Sequence, residues 1–523
     1  MPDAVIAVDV GSRQVRAGLF DMAGLMLQSD AEAIAPTLHD DLAATYRMEE
    51  IWDAVCLSVR RCAEAADHHE AKVVGLAFDA TSSLYVDRCG LSIGEGEGDV
   101  FGWMDHRAQA EALEIGRTGH PYLDYFDGSM SPEFHLSKIL WLKRNRPQLF
   151  NRPPQFWDVC DELARRATET DCRSTSALIC KWPYVPTQAE PWCRDLLDRL
   201  GLSDAQGLDF FSPPARAPAS VHGTVSPWAS EHLGVAAGTV VAVGVIDAEA
   251  GVLGNACANF RETMSRTLLI TGGTSTNFML ISDEKRSVPG VWGPFLNAVY
   301  PGLWLHEAGQ SLSGGALDAV FRQHPASPGA PTQQNHERVV RDVMGFLNAE
   351  DAQFGAQRHV VPDWLGNRAP MNNSRVRAVM TGIGQELDYY SFLETYYATA
   401  RGLTLQTRQI VEHFNRHGYA IDVAHLSGGH RRNPLLVRLY ADCFSGDLLV
   451  SDAPEPVLLG TAMIAAVAAG HYKSLLEAAD RMSSARTLVP RDAKRVALLD
   501  SDYEVYKLLV EARNRVFAWS RRA

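Results

Sequence analysis

Several features are scarce in this 523-residue chain, and each scarcity removes a class of function. Its nine cysteines are scattered, with no C-x-x-C pair and no Cys/His cluster at zinc spacing. An odd number of widely spaced thiols reads as reduced cysteine in a cytoplasmic protein. Positive charge is in deficit: a net charge of −14 excludes the broad basic face that nucleic-acid binding needs, and leaves room only for a local basic pocket. Long apolar runs are missing. The most apolar window, VLLGTAMIAAVAAG (457–470), is too short to span a bilayer and reads as a buried helix. The start, MPDAVIAVDV, enters a strand at once, so a secretory leader is not expected. Short-period repeats and low-complexity tracts are absent as well.

What is present is an ordinary globular composition, 46% hydrophobic and 21% charged, in a chain long enough for two or more domains. Strand-like and helical runs alternate, which predicts an α/β architecture. AVIAVDV, VRAGLFD and LMLQSD predict a three-strand meander, and VVGLAFDA (73–80) a buried strand. RTLLITGGTSTNFMLISD (266–283) repeats the plan of that meander, so two domains of related design, 1–258 and 259–523, are expected to face each other across a cleft. Ser131 and Pro132 predict a helix start that ends before Pro147. Residues 391–416 predict a long helix, and Ser501 with Glu504 a capping box. The Pro/Gly/Ser-rich stretch 200–240 reads as surface connection.

The chemistry-bearing stretches are small-residue turns and isolated carboxylates. Gly11-Ser12 and Gly272-Gly273-Thr274-Ser275-Thr276 offer N–H groups and hydroxyls suited to phosphate oxygens, although each alone is also an ordinary hairpin turn. Asp9 precedes the first turn and suits Mg²⁺, or else caps the turn. SGGHRRNP (427–434) places a glycine pair at a strand-to-helix junction, where a ribose or phosphate can sit. In VGVIDAEAGVLG (243–254), Asp247 follows an apolar strand and opens a helix. Ligands bind at such strand mouths, and a carboxylate there can take the proton of an attacking hydroxyl; an N-cap is the plainer reading. FDATSS, WMDHRA, ALICKWPY and WLHEAGQS set polar residues among aromatics, which suits a polyol. Their plain readings are a snorkelling Lys181, an Asp105–Arg107 ion pair and a helix-capping Glu307.

Taken in order, DVGSRQVRAGLFD, GLAFDATSSLYVD, FGWMDHRAQAEA, CDELARRATETDCRSTSALICKWPY, IDAEAGVLG, VPGVWGPFLNAVYPGLWLHEAGQS, HVVPDWLGNRAP and LSGGHRRNPLLVRLYADCFSGDLLV resemble the FGGY carbohydrate kinase family, in its D-ribulose kinase-like (ribulokinase) branch. The resemblance implies two actin-like (ribonuclease H-like) ATPase domains with sugar and ATP in the central cleft. It implies ATP- and Mg²⁺-dependent phosphorylation of a ketopentose at its terminal hydroxyl, with Asp247 as general base. Gly11, Ser12 and Arg13 would form the first phosphate loop, Gly273, Thr274 and Ser275 the second, and Asp9 would lie near the metal. Gly428, Gly429 and Asn433 would flank the adenosine. Lys181, Glu307 and Asp247 would contact the ketose, together with Thr81 and Asp105.

D-ribulose is the expected sugar, with L-ribulose or another ketose or polyol, or a catalytically weakened binding protein, as alternatives. No nucleic acid or membrane partner is expected, and a homodimer is allowed for. Three departures from the family pattern stand out. DVGTGSARAG becomes a loop with Ser12, Arg13 and Gln14; IDAHAG becomes IDAEAG, with Glu249 for His; DFHGNRSP becomes DWLGNRAP, with Leu365. Arg13 reads either as a cationic donor to the phosphates or as a solvent-facing side chain.

Overall fold

The computed structural model describes residues 1–39, 42–87, 92–94, 96–150, 155–202, 211, 213–350 and 353–520. The chain opens with the expected meander: β1 (Asp3–Val10), β2 (Gln14–Asp21) and β3 (Met26–Ala33), paired antiparallel in that order. Every residue of β1 from Ala4 to Val10 is buried, the pattern of a strand covered on both faces. Helix α1 (Met48–His68) buries Ile51, Trp52, Val55, Val59 and Cys62, a stripe at helical spacing that packs on β2 and β3. β4 (Lys72–Ala80) then runs parallel to β1. A five-stranded side sheet, begun by the short strands Thr37–Leu38 and Ala44–Tyr46 before α1, is completed here, and several helices, among them α2 (Thr175–Lys181), follow before the main sheet resumes. It resumes with β5 (Val221–Thr224), β6 (Val240–Ala242) and β7 (Val245–Ile246), giving seven strands in the order β5-β6-β4-β1-β2-β3, with β7 beside the end of β4.

Helix α3 (Asp247–Gly254) leaves β7 and leads to a second seven-stranded sheet. Its strands are β8 (Thr267–Gly272), β9 (Thr276–Ser282), β10 (Trp292–Leu296), β11 (Trp304–Gln310), β12 (Val423–Gly428), β13 (Asp447–Ser451) and β14 (Arg486–Val489). The order is β10-β11-β9-β8-β12-β13-β14. The β8–β9 hairpin followed by a parallel β12 repeats the β1–β2 hairpin followed by a parallel β4. Two α/β units of one plan, facing each other across a central cleft, make the actin-like arrangement.

The hydrophobic cores do not follow the 258/259 division. Helices α4 (Pro434–Cys443) and α6 (Ala493–Trp519) pack in the second core, whereas α5 (Pro456–Ala468), between them in sequence, is buried in the first, on β1, β4 and α3. Glycine makes the α3–α5 contact close. A Cβ at Gly254 would lie 1.7 Å from the Pro456 carbonyl oxygen, and one at Gly460 would lie 2.0 Å from that of Ala250. Among the described residues no helix is long and apolar enough to cross a membrane.

Four local expectations need correction. Ser131 does not cap a helix: its hydroxyl accepts from the Glu133 N–H and its carbonyl from the Phe134 N–H, forming a turn, and the helix runs His135–Asn145. Ser501 lies within α6, which starts much earlier because the Asp492 carboxylate accepts from the N–H groups of Lys494 and Arg495. The glycine pair of 427–434 does not open α4 directly; a 3-10 turn, Gly429–Arg432, intervenes, and Asn433 caps the helix through Leu435 and Leu436 N–H. The 200–240 stretch supplies the edge strand β5 and the helix Pro227–Leu233 as well as connection, while residues 203–210 and 212 lie outside the described residues.

Because α3 carries Asp247 and has no room beside α5, Gly254→Ala should destabilise the protein by about 1–3 kcal/mol. Urea unfolding checks this: an unchanged midpoint would mean that the helices part without strain.

Candidate active site

Three neighbouring parallel strands each bring an aspartate to within one residue of their C-terminal ends. Asp9 on β1 is level with Asp79 on β4, and β7, level with Asp79 and Ala80, ends where Asp247 begins α3. Asp9 and Asp79 are buried, while Asp247 is half-buried at the mouth, where its Oδ1 accepts the Ala248 N–H at 2.8 Å. Arg16, on the neighbouring β2, donates to Asp9 and, at 2.6 Å, to Glu455 at the start of α5. Thr461 of α5 donates to Asp79 Oδ2, while Asp79 Oδ1 is buried with no hydrogen-bond partner among the described residues. Burial and the nearby Asp9 charge push Asp79 well above the carboxylate range, a conflict between adjacent carboxylates that a bound cation would relieve. Burial, then Asp9, holds Asp247 up at about 6, although Lys181 and Arg16 pull the other way. Oxygen donors in this setting fit Mg²⁺, which takes one or two carboxylates and completes its shell with water and phosphate. The unpartnered Asp79 Oδ1 beside Asp9 is the observation that meets this requirement. Among the described residues no group of three or more His, Cys, Asp or Glu could hold a metal, so protein ligands alone would not form the shell.

The two small-residue turns are firmly built. Gly11 N–H bonds back to the Gln14 carbonyl at 3.0 Å, and Ser12 Oγ accepts from the Trp103 indole at 2.8 Å, which leaves the Ser12 O–H as a donor. Arg13 and Gln14 are both exposed at the tip. In the second turn the Gly273 carbonyl receives Gly314 N–H and Ser313 Oγ, and the Thr274 carbonyl receives Ser313 and Gly315 N–H. Gly272 on β8 is level with Gly428 on β12, so the turn Gly273-Thr274-Ser275 and the pair Gly428-Gly429 form one continuous surface. Only glycine fits there: Gly428 has φ +75°, and its Cβ would lie 2.4 Å from the Gly272 carbonyl oxygen. A Cβ on Gly272 would strike the His430 ring at 2.4 Å. Burial pushes His430 down to about 4, so the ring is neutral; its Nε2 donates to the Gly273 carbonyl at 3.1 Å and its Nδ1 accepts from Tyr440. Gly273, Thr274 and Gly429 stay exposed. Asn433 lies just beyond, its side-chain oxygen committed to capping α4.

The polyol candidates separate. Lys181, the last residue of α2, is no surface lysine: its Nζ sits 5.1 Å from the Phe134 ring centre and 5.7 Å from that of Trp292. Burial opposes its charge, but Glu307, Glu249 and Glu133 outweigh that and hold the ammonium above its usual range. Glu307 lies on β11 and caps no helix. Thr81 is close to Asp247 at the end of β4, its hydroxyl 3.1 Å from Ser83 Oγ. Asp105 is fully buried and spent on Arg107, at 3.0, 3.0 and 2.8 Å, and on the Ala44 N–H. It supports the pocket wall and has no oxygen turned to a ligand.

The structure thus brings Asp9, Asp247, Thr81, Lys181 and Glu307 to the cleft and withdraws Asp105. It also adds residues that sequence reasoning missed. Asp79 was hidden inside a run otherwise read as core strand, though its position level with Asp9 was implicit in two strands both carrying Asp one residue before their ends. Arg16 and Glu455 meet across 439 positions of sequence, which no local pattern reveals. Glu133 is held by Arg368 at 3.6 Å and His106 at 3.4 Å. Burial opposes its charge, yet Arg368 and His106 hold its pKa down to about 2. Arg368, the arginine of DWLGNRAP, also lies 5.9 Å from the Trp103 ring, so it reaches from the second half of the chain to the first.

Comparison with known proteins identifies the family. Residues 4–254 match the N-terminal domain of the FGGY family of carbohydrate kinases, and residues 268–469 match its C-terminal domain. The chain is 32% identical to an FGGY carbohydrate kinase domain-containing protein of Homo sapiens, over 98% of this chain and 97% of the human protein. It is 30% identical to a D-ribulokinase of Saccharomyces cerevisiae, over 97% of this chain and 77% of the yeast protein. In fold it is similar to a xylulose kinase of Rhodospirillum rubrum (TM-score 0.80, 18% identity, 98% and 100% of the two chains). It is also similar to a Plasmodium falciparum glycerol kinase with ADP (TM-score 0.75, 15% identity, 98% of each). Matched in both halves and along nearly its whole length, the chain belongs to the FGGY family of carbohydrate kinases.

Proposed function

We propose that the protein transfers the γ-phosphoryl group of ATP, with Mg²⁺, to the terminal hydroxyl of D-ribulose, giving D-ribulose 5-phosphate. The observation that carries the reaction type is Asp247, a half-buried carboxylate at a strand mouth, with a pKa near neutrality and Lys181 close enough to act on it. Similarity to the yeast D-ribulokinase supports the choice of sugar, as does 27% identity, over 96% of this chain, to a ribulokinase of Shouchella clausii. The eight described cysteines are all free, which agrees with a reducing, cytoplasmic setting.

In this reading the sugar lies between Lys181, Glu307 and Asp247, with Phe134 and Trp292 as its apolar wall. Asp247 accepts the proton of the terminal hydroxyl as its oxygen attacks the γ-phosphorus. The Ser12 N–H and hydroxyl on one side, and the N–H groups and hydroxyls of Thr274 and Ser275 on the other, donate to phosphate oxygens, the Gly11 and Gly273 N–H groups being spent on closing their turns, and Gly428-Gly429 gives the adenosine a flat backbone surface. When bound, Mg²⁺ neutralises phosphate charge, and Asp9 and Asp79 would hold it. Arg368, in contact with both halves, helps keep water out while the cleft is closed.

Asp247→Asn should lower kcat by roughly 10²–10⁴ and leave sugar affinity largely intact, as loss of a general base does. Steady-state kinetics with Mg·ATP and a panel of pentuloses, hexuloses and polyols tests this, and near-normal turnover would remove Asp247 from the mechanism. The same panel tests the sugar: sugar-independent ADP release, or binding without turnover, would sink the kinase reading. The base must be ionised to work, so kcat/KM should fall as pH drops through about 6 and hold above it. A rate flat from pH 5 to 8 would contradict that assignment. Arg13 is exposed, and its loop works through backbone and Ser12, so Arg13→Gly should change the ATP KM by no more than about threefold, the scale of surface substitutions. A loss of tenfold or more would make Arg13 a phosphate donor.

A further inference from the structure

Glu249 stands two residues beyond Asp247 on α3 and is only 1% exposed. The groups around it come from three elements. On its own helix there is Asp247; at the end of α2 there are Cys180, which hydrogen-bonds to it, and Lys181; on β11 there is Glu307. Glu133 and the buried Lys138 act on the cluster from beyond Lys181. Glu249 Oε2 is buried with no hydrogen-bond partner among the described residues. Two carboxylates, Glu249 from a buried position and Glu307 from the half-buried wall, therefore act on one half-buried ammonium. With both ionised the cluster carries an unbalanced buried charge, and one proton balances it. Burial, followed by the charge of Glu307, holds Glu249 up at about 8 against the pull of Lys181.

We propose that Glu249 is a positioning residue that enters the working site as a neutral carboxylic acid, leaving the Lys181 ammonium to Glu307 and the sugar hydroxyls. This rests on the sugar-kinase reading above. When Glu249 ionises, a second carboxylate competes for Lys181 and the hold on the sugar loosens. Asp247, ionised throughout that range, keeps its role. The burden falls on KM and not on kcat.

Two measurements test this. In kinetics with D-ribulose, wild-type KM should rise about tenfold from pH 7.5 to pH 9, one unit beyond the ionisation. In Glu249→Gln, neutral at every pH, KM should stay flat over that range; should this variant misfold, Glu249→His, also never anionic, should show the same flat profile. A KM rise that survives in these variants would overturn the proposal and leave the kinase reading intact, pointing to Lys138 or another group. The second measurement needs no substrate. The folded pKa is raised above the unfolded value of about 4.3, so the stability Glu249 contributes is fully present below that pH and is lost as pH rises through about 8. The urea midpoint of Glu249→Gln should therefore climb relative to wild type from pH 5 to pH 8 and then run level. A gap independent of pH would overturn the proposal even if no sugar is phosphorylated.

Discussion

Arg16 joins Asp9 to Glu455, and with that ion pair it reconciles two demands that conflict. Neighbouring strands lie about 4.8 Å apart, so aspartates at the ends of β1, β4 and β7 are forced into a crowd that Coulomb repulsion opposes. The crowd is kept together by one guanidinium, from Arg16, and one hydroxyl, from Thr461. Glu455 and Thr461 sit at the start and in the first turns of α5. The charge balance of the strand ends and the seating of that helix are therefore a single arrangement. The near-neutral Asp247 follows from the same crowding, since the Asp9 charge is among the forces that raise it.

The sugar side obeys the same accounting with the signs exchanged. A cation stands among aromatic rings, and Glu307 and Glu133 hold it charged against the effect of burial, with Glu249 joining them only once it ionises. Phe134 and Trp292 supply ring faces to that cation. Glu133 owes its low pKa to Arg368, so the second half of the chain already shapes the electrostatics of the first before any ligand is considered. Long cationic side chains do this work because they cross gaps that short carboxylates cannot.

The hairpins, their repetition and the strand before Asp247 were legible in the sequence, because buried strands and small-residue turns leave local signatures. The level placement of Gly272 and Gly428 was not, since it depends on the register between strands some 150 residues apart. Ser131 and Ser501 misled for a related reason: capping residues are common, and only competition decides which one starts a helix. Asp492 wins for α6 because a charged acceptor reaches two N–H groups. Lys181 read plainly as a surface lysine, and Asp105 was grouped with the ketose contacts because it stands among aromatics. Neither outcome is local, as the first depends on glutamates from three other elements and the second on an arginine two residues away that takes both oxygens. Arg16 was invisible as a site residue because its partner Glu455 lies in the other half of the chain.

The place of α5 has a consequence for how the molecule comes into being. The first sheet, begun at residue 3, acquires the helix that covers β1 and β4 only from Pro456 onward. A nascent chain leaving the ribosome must therefore hold an open, apolar sheet face through most of its synthesis. That interval ties maturation of the aspartate-bearing strand ends to the arrival of roughly the last eighth of the chain. An N-terminal fragment cut at the apparent division would lack part of its own interior. The cleft is thus the product of a late, long-range closure, and the two halves do not become independent bodies in the order in which they are made.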